Sequence, residues 1–226
     1  MAVLAPLPPA WQAGELVRLQ TRQKVVALTF DGGGNDAGAA SVLATLRRTR
    51  TPATFFLTGR FVRLYPTTAR RIAAEPGSLV GNHTVDHSDM THLSDAQDRW
   101  EVEAAQAEIR RATGQDPRPL FRFPYGARDA RTQALVKKLG YLDIRWTLDT
   151  WGWMGRRLQT VEGVVRRVLD HLVPGEIVLM HLGSAPDGSK LDAEALPQVI
   201  RSLRARGYRF VTLRGVRGAA AAAPRR

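Results

Sequence analysis

The sequence predicts an α/β fold, a parallel (β/α) barrel of about seven strands in a single domain. Two observations carry that expectation. Short apolar runs of four to six residues alternate with helical patterns of ten or more, the signature of βα units and a mainly parallel sheet. Seven such strands are counted, which suggests a barrel. No sequence repeat is visible, which excludes a solenoid. An open doubly wound sheet is the competing architecture, and periodicity does not separate the two.

The elements follow in order. Val25 to Phe30 (VVALTF) is apolar and β-branched and reads as a buried strand, followed by a Gly-rich loop and a helix from Ala37 to Arg48. Ala53 to Leu57 is a strand, Phe61 to Ala74 a helix, Leu79 to Gly81 a strand, and Ser94 to Ala112 a long helix. Ser94 with Gln97 makes a capping box at its start, and Gly114 lies just past its end. Leu120 to Phe123 is a strand, Ala130 to Leu139 a helix stopped by Gly140, and Tyr141 to Leu148 a strand. Val161 to Leu172 is a helix, Ile177 to Met180 a strand, Asp192 to Arg206 a helix stopped by Gly207, and Arg209 to Leu213 the last strand. The domain is expected over residues 25–214, after an N-terminal extension or linker at 1–24 marked by Pro6, Pro8, Pro9 and Trp11. A low-complexity, frayed tail occupies 215–226.

Composition narrows the function classes. With 226 residues and 44% hydrophobic content the chain has material for a sizeable core. No cysteine is present, which removes disulfides, thiolate metal sites and a Cys nucleophile together. No window reaches the roughly 18 apolar residues of a membrane span, and residues 1–20 lack a basic segment followed by an apolar one, so neither a transmembrane segment nor a signal peptide is expected in this sequence. The net charge of +12 favours an anionic partner such as nucleic acid, an anionic membrane face or a cell-wall polymer. Its arginines come as scattered pairs at helix ends, which suits a solvated surface better than a polyanion site, and no nucleic-acid partner is expected.

The candidate residues sit at strand ends. Asp31, His83 with His87, Arg122, Asp149 and His181 each follow an apolar run, and in a parallel barrel those ends meet at one mouth. Imidazoles four residues apart can share a divalent ion such as Zn²⁺ where the backbone turns tightly. Asp31 before Gly32, Gly33 and Gly34 suits a base in a loop that a ligand approaches closely. Each residue also has a plain alternative: Asp31 a helix cap, Arg122 a surface residue, His181 a satisfied core histidine. The run GGGND lacks the Lys-Ser/Thr of a P-loop and the spaced glycines of a dinucleotide fingerprint, and no Gly-x-Ser-x-Gly elbow occurs.

LTFDGGG (28–34), HTVDH (83–87), RFPYG (122–126), LDTWGW (148–153) and LMH (179–181), in that order, resemble the five motifs of the polysaccharide deacetylase family with the NodB homology domain, the fourth carbohydrate esterase family. The resemblance covers about residues 25–213 and implies a distorted parallel barrel. It implies a metal-dependent hydrolase that removes N-acetyl groups from N-acetylglucosamine-containing polysaccharide, peptidoglycan or chitin-like, secreted or at the cell surface. Position by position it implies that Asp31 is the catalytic base and that His83 and His87 bind a divalent metal, Zn foremost, with Co, Ni or Mn as alternatives. Arg122 would orient the base, Tyr125 supply an oxyanion N–H, Asp149 support His181 as general acid, and Trp151 or Trp153 wall the sugar groove. One motif departs from the family pattern: a second aspartate, its third metal ligand, is expected where this chain has Gly32. Asp36, or alternatively Asn35, is the expected substitute, although Asp36 can equally cap the following helix. A glycan-binding protein that keeps the fold and has weakened catalysis is the rival expectation.

Overall fold

Eight consecutive buried residues beginning at Val25 build the longest strand, and everything else is arranged about it. The computed structural model describes residues 15–213. Its strands are β1 (Glu15–Leu16), β2 (Val25–Gly32), β3 (Ala53–Leu57), β4 (Ser78–Asn82), β5 (Leu120–Phe121), β6 (Leu142–Ile144), β7 (Leu148–Asp149), β8 (Glu176–His181) and β9 (Arg209–Phe210). The helices are α1 (Ala39–Thr49), α2 (Gly59–Leu64), α3 (Pro66–Ala74), α4 (Asp95–Thr113), α5 (Ala130–Lys138), α6 (Val161–Asp170) and α7 (Leu191–Ala205).

Every strand pairing among the described residues is parallel, in the order β1-β6-β5-β4-β3-β2-β8-β7, with β9 laid against the start of β2. The two edges of this curled sheet are stitched by single bonds: Thr147 Oγ1 donates to Val17 O at 2.9 Å, and Leu19 N to Gly175 O at 2.8 Å. The result is the distorted parallel barrel that was expected, with nine strands in place of seven.

Side chains alternate between the two faces of each strand. In β2, Val26, Leu28 and Phe30 pack outward under the helices with Val42, Leu46, Val199 and Leu203. Val25 and Ala27 point into the barrel, where they meet Leu79, Leu120, Leu142, Ile144 and Ile177. Thr29 and Asp31 continue that inward phase beyond the apolar plug. Gly81 belongs to the same interior: a Cβ there would lie 2.7 Å from the Phe56 ring, so only glycine lets the ring in.

The structure alters four elements. The helix expected over 61–74 is two, because Pro66 has no N–H and its ring bars Tyr65 from helical geometry, leaving that residue at φ −126°, ψ 55°. The strand expected over 141–148 is β6 and β7, which pair with different neighbours; the carbonyls of Ile144 and Arg145 turn to the Arg122 guanidinium instead. The strands expected over 120–123 and 209–213 shorten to two residues each. The domain boundary expected at residue 25 falls too late: Glu15–Leu16 pairs with β6, and Leu16 and Leu19 are buried in the barrel interior. The tail expected at 215–226 lies outside the described residues. The predicted capping box does form, with Gln97 N bonded to Ser94 Oγ at 3.4 Å and Ser94 N to Gln97 Oε1 at 2.9 Å, and Gly114 closes α4 at φ 71°.

Candidate active site

The inward phase that fills the barrel with aliphatics delivers polar residues at its mouth. Asp31 and His181 end adjacent strands and are register partners across β2 and β8. Together with His83, His87, Tyr125, Asp149 and Trp153 they line one cavity of about 620 Å³. Arg122 lies beneath, fully buried, and fixes Asp31: its Nη1 donates to Asp31 Oδ1 at 2.6 Å. Nη2 donates to Thr29 Oγ1 at 3.0 Å and to Arg145 O at 3.1 Å, and the guanidinium lies 4.1 Å above the Phe56 ring. Burial works against a charge on Asp31, but Arg122, His83 and His181 outweigh it and hold the carboxyl below its ordinary value. The paired charges make ionised Asp31 the resting form.

His83 and His87 are brought together by a turn. Thr84 and His87 both adopt left-handed backbone, at φ 66° and 63°, a conformation that non-glycine residues hold only when their surroundings over-determine it. Those surroundings are explicit. Glu101 Oε2, buried on α4, accepts from Val85 N at 2.7 Å and Asp86 N at 3.1 Å, while Thr84 O and Val85 O accept from the first amides of α2. The imidazoles then meet edge to face, 4.8 Å between centroids. His83 Nδ1 lies 2.8 Å from Arg122 O, and since a carbonyl only accepts, Nδ1 carries the proton and Nε2 keeps its lone pair. That Nε2 sits 3.5 Å from Asp31 Oδ2. Burial lowers the pKa of both histidines, His87 to about 4 with His83 adding to the effect, so both are neutral donors at neutral pH.

The pair therefore suits a borderline divalent cation in donor type and protonation. Beside the two imidazoles stands Asp31, its Oδ2 3.5 Å from His83 Nε2, yet among the described residues no group of three or more His, Cys, Asp or Glu side chains is disposed to hold a metal. The substitutes expected from the sequence correct themselves. Asp36 Oδ2 accepts from Thr68 Oγ1 on α3 at 2.6 Å, and Asp36 is absent from the cavity wall. Asn35 does line the cavity, yet its Oδ1 accepts from Ser184 N at 2.9 Å and Ala37 N at 3.1 Å and is spent on the loop. Gly32 is itself on the outward phase: a Cβ there would meet Leu57, Leu182 and Phe61. A Cβ on Gly33 would lie 3.6 Å from His87 Cδ2, so position 33 is the one that faces the histidine pair.

On the opposite wall stands His181. Asp192, buried in the first turn of α7, places Oδ2 at 2.8 Å from His181 N and 3.6 Å from His181 Nδ1. Burial alone would lower the His181 pKa, but Asp192, Asp31 and Asp149 together raise it. Asp149 adds to that raised pKa through its charge, while its own oxygens are taken up locally. Its Oδ1 accepts from Trp151 N at 2.9 Å and its Oδ2 from Trp153 Nε1 at 3.1 Å. Trp151, at φ 60°, lies under Arg167, whose Cζ is 3.4 Å from the ring centroid. Tyr125, at φ 58° and 72% exposed, sets its ring edge-on to His87 at 4.6 Å. Asp192 and Glu101 were not found from the sequence, because an acidic residue in a helix reads as a dipole partner or a solvent charge.

A parallel barrel with an ionised Asp–Arg pair, two neutral imidazoles and a raised-pKa histidine around one cavity is built for hydrolytic acid–base chemistry. A polysaccharide deacetylase profile matches residues 18–144, and the chain belongs to that family. It is 30% identical over 204 residues to a chitooligosaccharide deacetylase of Azorhizobium caulinodans, covering 86% of this chain and 95% of the relative. The solved peptidoglycan N-acetylglucosamine deacetylase Bc1960 superimposes with a TM-score of 0.83 at 28% identity, over 93% of this chain and 96% of that one. BA3943, a CE4 family pseudoenzyme from Bacillus anthracis, superimposes with a TM-score of 0.81 at 28% identity, over 89% and 68%.

Proposed function

We propose that this protein is a metal-assisted N-deacetylase of an N-acetylglucosamine-containing polysaccharide, peptidoglycan or chitin-like, working at the cell surface or outside the cell. The observation that carries the reading is the register pairing of Asp31 with His181: a carboxylate held ionised faces an imidazole whose pKa is raised, from neighbouring strands. Amide hydrolysis needs that division, a base for the attacking water and an acid for the departing nitrogen. Asp31, oriented by Arg122, takes the water proton; His181 delivers one to the leaving amine; the backbone N–H of Tyr125 meets the oxyanion. Trp153, in the cavity wall, offers a flat apolar face to a sugar ring, whereas one face of Trp151 is covered by Arg167 and its ring lies outside that wall. A divalent cation, Zn²⁺ foremost with Co²⁺, Ni²⁺ or Mn²⁺ as alternatives, would be held by His83 and His87 and would polarise the acetyl carbonyl.

Acetate release from N-acetylglucosamine oligomers and from peptidoglycan tests the reading. Metal-loaded protein is expected to turn over, chelated protein to lose activity, and Asp31→Asn or His181→Ala to lower kcat by about 10²-fold or more. Activity unaffected by both substitutions would sink it. The second reading, a glycan binder with weakened catalysis, is favoured by one observation: among the described residues no three His, Cys, Asp or Glu side chains are grouped to hold a metal. It predicts oligosaccharide binding without acetate release at any metal concentration.

A further inference from the structure

We propose that Asp192 is the positioning residue for His181, and that Asp149 instead builds the aromatic wall of the cavity. The assignment rests on the deacetylase reading for what His181 does, and on this chain's own geometry for the rest. His181 Nδ1 is shut away from solvent with no hydrogen-bond partner in this rotamer, while Asp192 Oδ2 stands 3.6 Å away. A buried polar atom left unpaired is costly, so a small ring rotation that closes this gap is favoured. An ionised carboxylate accepts only; the proton on the paired nitrogen is therefore fixed at Nδ1, and Nε2 is left to the cavity. In the reaction, Nε2 gives its proton to the departing nitrogen and Nδ1–H stays with Asp192, which remains ionised throughout.

Asp192 is itself held from three sides. Thr150 Oγ1 donates to its Oδ1 at 2.6 Å, and His181 N to its Oδ2 at 2.8 Å. The third side is Gly152, where a Cβ would lie 2.3 Å from Oδ1, so the carboxylate occupies the space a side chain would need. One acid thus ties the ends of β7 and β8 to the first turn of α7. Both oxygens of Asp149 are meanwhile engaged by Trp151 and Trp153, and its carbonyl accepts from Arg167 Nε at 3.0 Å. Losing Asp149 therefore loosens the tryptophans, whereas losing Asp192 frees the imidazole.

Kinetics should split accordingly. Asp192→Asn is expected to lower kcat by about 10- to 100-fold with KM, and the oligosaccharide Kd read from tryptophan fluorescence, within twofold of wild type. Asp149→Asn is expected to raise KM and Kd by about fivefold or more with kcat within threefold. Gly152→Ala, which pushes the carboxylate aside, should reproduce the Asp192→Asn pattern. The opposite split, or an unchanged kcat in Asp192→Asn, overturns the proposal. Nitrogen-15 spectra of wild-type histidines test it without any variant or any activity: neutral His181 is expected as the Nδ1–H tautomer, and the Nε2–H tautomer overturns the assignment. A protein that shows the Nδ1–H tautomer but releases no acetate would refute the deacetylase reading alone.

Discussion

Arg122 turns four of its five N–H donors to fixed partners: Ile144 O, Arg145 O, Thr29 Oγ1 and Asp31 Oδ1. Such a network is sensitive to removal of one member, because breaking a buried ion pair leaves the other charge uncompensated. Arg122→Ala is therefore expected to cost about 3–5 kcal/mol in denaturant unfolding. The same change removes the strongest influence favouring ionised Asp31, so the acid limb of the activity profile should move upward. On the proposed mechanism activity requires ionised Asp31 and is expected to fall as pH drops through its folded pKa, which in the wild type lies below the ordinary carboxylate value. A variant with unchanged stability and unchanged acid limb would show that the pairing is idle. At this scale the strand-end rule found Asp31, Arg122 and His181 in the sequence, since each simply follows an apolar run. It did not find Asp192 beside His181, because Asp192 is 11 positions away on a helix whose approach to β8 no local pattern announces.

Among the elements, α4 shows most clearly how packing serves the site. Its capping box and terminal glycine were readable, being local chemistry at fixed spacing. Its contribution to the site was not. Glu101, one of its buried residues, accepts two amides of the turn that carries His83 and His87 and helps pay for two left-handed residues there. Glu101→Ala is expected to lower metal affinity by about 10- to 100-fold in a calorimetric titration while leaving the metal stoichiometry unchanged. An unaltered affinity would mean that the turn holds its shape without Glu101. The His-x-x-x-His spacing suggested a shared ion; whether the rings converge depended on a backbone conformation that these two helices and the Asn82 side chain impose. The splitting of β6 from β7 has the same origin, since it is a side chain from β5's end that claims the intervening carbonyls.

The molecule as a whole separates its polar groups by depth. The mouth of the barrel gathers charges that partner one another, while the opposite end holds Glu176 at the start of β8, buried with Oε1 unpaired. Burial pushes its carboxyl up to about 8 from an ordinary 4.5. In that interval the native state binds a proton that the unfolded chain has released, so Glu176 makes stability fall as pH rises from about 4.5 to 8. Glu176→Gln is expected to raise Tm at pH 8 by about 4 °C and to change it little at pH 4 in scanning calorimetry. An equal gain at both pH values would assign the effect to packing instead of ionisation. No helix among the described residues is long and apolar enough to cross a membrane. By itself the sequence determined the alternation of strands and helices and which polar residues stand at strand ends, because hydrophobic periodicity and strand-end position are local properties of the chain. Only the tertiary structure decided that Gly32 faces the helices and Gly33 the histidines, that Asp36 and Asn35 are spent elsewhere, and that Asp192 stands beside His181. Each of those depends on how distant elements approach one another, and a side chain's partner is fixed by that approach rather than by its neighbours in sequence.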